Sequence, residues 1–347
     1  MRNVNIPIFI PHEGCKNACV FCNQKTITGT SGKADRNIRL EIDKALSTIS
    51  PYDKVMIAFF GGSFTGLDKS LMTSLCDTAY DYVKKGLVSS VRLSTRPDYI
   101  DESILEILKQ RGVTNIELGI QSMSQKVLDA SKRGHKVEDT IKACRLINDY
   151  GFTLGGQMMV GLPTSTIEDE IYTAEQIVSL DAKETRIYPT VVFHGTELCN
   201  MAKNGTYSPL TLEDAIKRSA HVYGIFKNAG IKVLRVGLQS SESLCDDTCV
   251  YAGPNHPSLG ELVMGEYYYK QIMSKKDDIA RLIRGDAVNY RLNIYCHPSY
   301  TSKIIGNKSV NLKRFYESFS SFGIRDIKVI NNKDFHEEQI DFSIETI

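Results

Sequence analysis

The chain has 347 residues, 42 Lys+Arg against 41 Asp+Glu for a formal net charge of +1, and 42% hydrophobic residues. That composition excludes wholesale disorder, a collagen and a disulfide-held miniprotein, and the balanced charge excludes a whole-molecule basic field as the route to nucleic acid. No run of about 18 apolar residues occurs and the first residues lack a secretory pattern, so no spanning helix is expected and the nine cysteines are expected in a reducing, cytoplasmic setting, where clustered thiols bind metals or react rather than pair.

In chain order, short apolar runs alternate with amphipathic stretches. Strands are expected at Ile6–Ile10, Val55–Phe60, Val91–Thr95, Ile116–Ile120, Thr153–Val160 and Thr185–Val192. Helices are expected between them, at Arg36–Ile49, Lys69–Lys85, Asp101–Arg111, Val137–Tyr150 and Ile167–Ser179, where apolar residues recur every three and four positions. Such alternation predicts βαβ units and a parallel sheet, hence an α/β fold. Six units suit a partial (β/α)6-type TIM barrel, although a doubly wound sheet reads much the same. In either fold, ligands bind on the loops after the strands. The unusual residues fall there: a cysteine cluster after the first strand, Gly61-Gly62-Ser63-Phe64-Thr65 after the second, Arg96-Pro97-Asp98 after the third, Gln121-Ser122 after the fourth and Gly161-Leu162-Pro163 after the fifth.

The pattern changes near residue 240. Ser240–Pro257 reads as a loop or linker, and Leu259–Met273 as a helix. A last unit follows: strand Tyr290–Cys296, helix Ser299–Ile305, helix Val310–Ser320, strand Ile324–Ile330. The expected domains are a core over 1–240, a linker and extension over 241–285, and a small α/β appendage over 286–347.

Cys15, Cys19 and Cys22 form C-x3-C-x2-C. A lone buried cysteine is usually a small hydrophobe; three within eight residues after a strand are a ligand set. A structural zinc site wants a fourth ligand, for which His12 is available. A cubane iron–sulfur cluster normally takes four thiolates, so three leave one iron open to a small molecule.

With Phe21 in the aromatic slot of C-x3-C-x-aromatic-C, this loop resembles the radical S-adenosylmethionine (SAM) superfamily. Gly61-Gly62-Ser63-Phe64 is similar to that family's glycine motif, which receives the methionine moiety of SAM. A closer resemblance is to the radical-SAM core of the Elongator catalytic subunit. It rests on Glu117-Leu118-Gly119-Ile120-Gln121-Ser122 with Lys132-Arg133-Gly134-His135, on Met158-Met159-Val160-Gly161-Leu162-Pro163, and on Ile187-Tyr188-Pro189-Thr190 with His194-Gly195-Thr196. It covers roughly residues 5–240. Oxygen-independent coproporphyrinogen oxidases share the weaker Gly-x-Gln-Ser and Arg-x-His elements. The resemblance implies a 4Fe–4S cluster on Cys15, Cys19 and Cys22, SAM on the open iron, and reductive cleavage to a 5′-deoxyadenosyl radical, fed by a flavodoxin- or ferredoxin-type electron donor. It also places Gly61, Gly62, Ser63, Phe64, Phe21, Gln121 and Arg133 at the cofactor. Arg133 suits a carboxylate because its guanidinium is a planar fork of donors, a surface charge being the plainer alternative; His135 is expected to fix the loop by hydrogen bonding. Two departures stand out. No stretch after residue 240 resembles the Elongator acetyltransferase domain, and the basic extension that precedes the Elongator cluster has no counterpart before Cys15, so wobble-uridine carboxymethylation is not implied.

Ile305-Gly306-Asn307-Lys308-Ser309, between the last two helices, resembles the Ile-Gly-x-x-Gly loop of a KH module, with Ser309 in place of the second glycine. Between Lys270 and Arg314 stand ten Lys/Arg against three Asp/Glu. Gly306, Lys308, Lys313 and Arg314 are therefore the candidates for RNA contact; a structural cap with a solvated charged face is the alternative. Cys245, Cys249 and Cys296 read as incidental rather than as a second metal site, and Tyr267, Tyr268 and Tyr269 as packing residues. The expected function is radical SAM chemistry in tRNA or rRNA base modification. A small tetrapyrrole-like metabolite as substrate, or a non-catalytic metal-stabilised RNA-binding protein, are the alternatives.

Overall fold

The computed structural model describes residues 3–10, 15, 19–23, 37–50, 53–238, 249–283 and 289–347. Two compact units emerge, one formed by Met1–Ala215 with Ile225–Pro257 and the other by Ile216–Gly224 with Ser258–Ile347.

The first unit is built on seven parallel strands: β1 (Asn3–Ile10), β2 (Lys54–Gly61), β3 (Ser90–Thr95), β4 (Val113–Gln121), β5 (Thr153–Val160), β6 (Glu184–Pro189) and β8 (Lys232–Val236). Their order in the sheet is their order in the chain, β1-β2-β3-β4-β5-β6-β8, every neighbouring pair parallel. A doubly wound sheet reverses direction at a switch point; this sheet does not. It is a partial β/α barrel, curled and ending on β1 and β8. The seventh strand escapes the sequence reading because it is five residues long, carries Lys232 and Arg235, and is only half-buried.

The helices between strands are α1 (Ile38–Leu46), α2 (Lys69–Lys84), α3 (Glu102–Lys109), α4 (Gln125–Ala130), α5 (Val137–Asp149), α6 (Ile167–Ser179), α7 (Glu197–Lys203) and α8 (Leu212–Asn228). Short polar side chains start them. Asp68 accepts from Ser70 N at 2.9 Å, Asp101 from Ile104 N at 2.8 Å, and Thr166 and Asp169 form a reciprocal capping box on α6. Strand residues alternate between two faces. One face, including Ile6, Ile8, Ile10, Ile57, Leu93, Ile116, Leu118 and Leu154, is buried and apolar.

The other face of β3–β6 is polar. Glu117, 1% exposed, accepts from Arg92, from Gln157 Nε2 at 3.0 Å and from Arg186 Nε at 2.6 Å. Arg92 also reaches Glu184 at 2.9 Å. A Cβ on Gly155 would lie 2.9 Å from Glu117 Cγ, so glycine there gives the carboxylate its space. Burial alone would push the Glu117 carboxyl up, but the Arg186 and Arg92 charges outweigh it and hold it below the usual carboxylate range.

A two-stranded antiparallel element, β7 (Val192–Phe193) with β9 (Val250–Ala252), completes this unit. β9 falls within the stretch expected to be loop; Cys245 lies outside the described residues.

The second unit contains α9 (Leu259–Met273), α10 (Lys276–Arg281), β10 (Tyr290–Cys296), α11 (Thr301–Ile305), α12 (Val310–Phe319), β11 (Ile324–Asn331) and β12 (Ile340–Thr346). The expected strand–helix–helix–strand unit is present. β10 pairs parallel with β11 and antiparallel with β12. The core joins Tyr268, Ile272, Leu292, Ile294, Phe315 and Phe319. Tyr267 meets Tyr223 and Tyr268 edge-on, and Tyr269 stacks on Phe315, so the tyrosine run packs. Among the described residues, no helix is long and apolar enough to cross a membrane.

Candidate active site

The C-terminal strand ends of the first unit surround a cavity of about 120 Å3. Cys15, Cys19, Phe21, Cys22, Gly61, Gly62, Ser63, Gln121 and Arg133 line it, together with Ser94, Thr95, Arg96, Gly119 and Gln157. Residues from five successive strand ends therefore meet at one place.

Each segment is pinned by local chemistry. Cys22 N donates to Cys19 O at 3.1 Å, and Val20 N to Ser131 O at 3.2 Å. Gly61 ends β2 at φ +106°, and a Cβ there would collide with the Ile10 carbonyl oxygen, while Gly62 N donates to that oxygen at 2.9 Å. Thr65 and Thr95 hydroxyls meet at 2.6 Å and tie this turn to β3. The Cys15 thiol donates to Ser63 Oγ at 3.4 Å. At the end of β4 the register slips between Gly119 and Gln121, and Gln121 takes a left-handed φ of 67°. A bulge of this kind re-aims a side chain, here into the cavity.

Two arginines hold Cys19. Arg133 Nη1 donates to its sulfur at 3.3 Å, and Arg96 Nη1 stands at 3.9 Å. Asp98 fixes Arg96 through both carboxylate oxygens, at 2.9 and 3.0 Å, and Arg96 donates to the Arg133 carbonyl. Arg133 Nη2 donates to Gly119 O at 2.6 Å. Both terminal nitrogens of Arg133 are thus committed to protein atoms. Those two bonds tie the Arg133 side chain to the cysteine loop and to the end of β4, and Nε is left without a partner.

Phe64, expected at the cofactor, is fully buried, stacks on Phe59 at 4.5 Å and is not among the residues that line the cavity. His135, expected to hydrogen-bond the loop, is 4% exposed with neither ring nitrogen paired. Burial first, and then the Arg133 charge, push its pKa down to about 4. Since the unfolded imidazole protonates at the higher value of 6.5, stability should fall as the pH drops from about 6.5 to about 4, by roughly 3 kcal/mol in all. Denaturant unfolding of wild type and His135→Gln at neutral and mildly acid pH checks this. An acid loss equal in both proteins rules it out.

Arg96 was placed on a ligand-binding loop by the sequence, whereas Ser94, Thr95, Gly119 and Gln157 were not singled out for the cavity. The available signal was alternation: Arg92/Ser94, Asn115/Glu117 and Glu184/Arg186 are polar at period two inside strands that ought to be continuously apolar if buried on both faces. Gln157 is oriented by Glu117. An ionised carboxylate only accepts, so the amide turns Nε2 toward it, and that nitrogen also reaches Ser94 at 3.3 Å.

The residues fit an iron–sulfur cluster and SAM. Among the described residues no group of three or more His, Cys, Asp or Glu side chains stands placed to hold a metal ion. A cubane would take each thiolate on a different iron, so its ligands line a space rather than meet at one atom, and Cys15, Cys19 and Cys22 all line this cavity. Gln121 Oε1 and Arg133 Nε are buried in the cavity wall without partners, an acceptor and a donor left for a ligand.

Residues 9–177 match the Radical SAM superfamily, and residues 182–269 the Radical_SAM C-terminal domain. The chain belongs to the radical SAM superfamily. It is 26% identical over 341 residues to the tRNA uridine(34) acetyltransferase of Methanocaldococcus infernus, covering 81% of this chain and 61% of that protein. With human Elongator complex protein 3 it shares 25% identity, covering 72% of this chain and 52% of that protein. It therefore spans little more than half the length of these curated relatives. The structure of Methanocaldococcus infernus Elp3 lacking its N-terminus superposes with a TM-score of 0.60 at 24% identity, covering 78% of this chain and 67% of that one. That likeness supports the partial-barrel fold of this radical SAM enzyme.

The RNA candidates lie in the second unit. Gly306, Lys308 and Ser309 all take positive φ, and Lys308 and Lys313 are exposed. Gly306 is buried, where a Cβ would press on Asn311 at 2.9 Å. Arg314 is engaged: Nη1 donates to Glu266 at 2.7 Å, and its guanidinium lies 3.4 Å from the Tyr269 ring centroid. Of the three cations, Lys308 and Lys313 are the ones presented to solvent.

Proposed function

We propose that this radical SAM enzyme holds a 4Fe–4S cluster on Cys15, Cys19 and Cys22, cleaves SAM reductively and modifies a base in RNA. The observation that carries the cofactor reading is the convergence of three thiols, the Gly62-Ser63 turn and the unpartnered Gln121 oxygen on one cavity. Bound there, the pair would supply radical chemistry for hydrogen abstraction from the substrate. The chain's own residues do the rest. Arg133 and Arg96 place positive charge at the Cys19 sulfur, Gly61 lets the second strand end against the first, and Gln121 and Gln157 offer oxygen acceptors at the rim. The names of the relatives, exposed Lys308 and Lys313, and the KH-like loop support RNA as substrate. An electron donor of flavodoxin or ferredoxin type completes the reading.

Nucleoside mass spectrometry of total RNA from a deletion strain and its parent tests the substrate. One modified nucleoside should disappear and return on complementation with the wild-type gene, but not with the Cys19→Ala gene. An unchanged nucleoside profile, with no salt-sensitive RNA binding by the protein, would turn the assignment to a small metabolite.

A further inference from the structure

The β7–β9 element is fastened to the cysteine loop. Leu198 N donates to Val20 O at 2.8 Å, Asn23 Nδ2 to His194 O at 3.3 Å, and His194 N to Cys249 O at 3.0 Å. Val20, Val192 and Leu198 share a small core against which Phe21 and Ala252 pack. Val250 packs on Val191 and Phe193. Strand residues alternate faces, so between inward Val250 and Ala252 the Tyr251 ring is directed outward, and it is 39% exposed. The His194 ring meets it edge-on at 5.6 Å and 83°, and Lys203 Nζ stands 5.5 Å from its centroid. Both neighbours are exposed. The nearby carboxylate of Glu197 is taken by Lys132 at 2.5 Å. An exposed aromatic ring with a cation over it is thus held one hydrogen bond from the residue that follows Cys22.

We propose that Tyr251, with His194 and Lys203, is the platform on which one base of a single-stranded RNA stacks beside the cysteine loop, Lys203 serving the adjoining phosphate. The proposal rests on the RNA reading above and adds the strand state of the substrate and its point of contact. A nucleobase offers a flat π-face whatever its sequence, and a phosphate follows each base, so an aromatic ring with a neighbouring ammonium matches the repeating unit of the chain. A duplex hides its bases in the stack and cannot use the platform. The net charge of +1 leaves such local features to do the recognition.

Binding of a fluorescent oligouridylate and of an RNA duplex of equal length, by anisotropy across a salt series, tests this on the reconstituted protein. Tyr251→Ala should weaken oligouridylate binding about tenfold or more while Tyr251→Phe retains it, since stacking needs the ring and not the hydroxyl. Lys203→Ala should lower the slope of log K against log salt by about 0.7, one phosphate contact. An oligomer with abasic positions should bind wild type and Tyr251→Ala alike. Iron content and thermal melting, unchanged from wild type, guard against misfolding. Wild-type affinity in Tyr251→Ala, or an equal loss for oligomer and duplex, would overturn the platform while leaving RNA as substrate. Slower reduction by an acidic flavodoxin with RNA affinity intact would assign the patch to a protein donor instead. If the wild type itself shows no salt-sensitive binding, the RNA reading fails and the platform with it.

Discussion

Replacing Cys19 with alanine should bring iron incorporation on anaerobic reconstitution to background, and with it the 5′-deoxyadenosine formed under dithionite. Among the described residues the cavity lining offers three thiols, and His12, the other candidate ligand, lies outside them; two thiolates cannot complete a cubane that normally has four ligands. Cys19 is also the thiol contacted by both Arg133 and Arg96, which places it at the centre of the charged support. Its buried side chain is small, and truncation to alanine removes one atom, at a cost of about 1 kcal/mol. The variant should therefore keep its circular dichroism and lose its metal. Iron quantitation and EPR of the reduced proteins give the comparison. Stoichiometric zinc in the wild type, with no reduced-cluster signal, would refute the cluster.

Glu117→Ala should destabilise the protein by about 3–5 kcal/mol, the usual consequence of leaving buried charge unpaired. Glu117 joins Arg92, Arg186 and Gln157 on the inner face of the sheet, and Arg92 would retain Glu184 alone. Replacing Glu117, Arg92, Arg186 and Glu184 together by apolar residues of similar volume should recover most of that loss, because the desolvation penalty then disappears with the charges. Such a protein should also lose the orientation of Gln157, whose amide is turned by the carboxylate. Denaturant midpoints of the single and quadruple variants measure the first effect. A single variant as stable as wild type would mean that the arginines find other partners.

The β/α alternation and the cysteine and glycine loops were legible because each is local. Thr153–Val160, Ile167–Ser179, Leu259–Met273 and Tyr290–Cys296 fall at the bounds expected from periodicity and turn residues. Lys232–Val236 and Val250–Ala252 were missed because short, charged or edge strands carry too few apolar positions to register. Glu117 and Gln157 were missed for another reason. A polar residue within a strand can face solvent, a cavity or an ionic partner, and strand period alone does not choose. Arg314 shows the limit most clearly: a cation in a suggestive motif, it is held by Glu266 and Tyr269.

By itself the sequence determined the fold class, the clustering of Cys15, Cys19 and Cys22 after the first strand, and the family to which that spacing points. Those features depend on neighbours within a few residues, where backbone period and ligand spacing act directly. Only the tertiary structure decided that the parallel strands run in sequential order as a partial barrel, that Gln157 joins the cavity, that Arg96 turns toward Cys19, that the Phe64 ring packs on Phe59, and that Tyr251 stands exposed beside the cysteine loop. Strand order is set by hydrogen bonds between segments tens of residues apart, and the same local alternation satisfies a barrel or a doubly wound sheet equally well. The direction in which a side chain points follows from that pairing, and so do its partners.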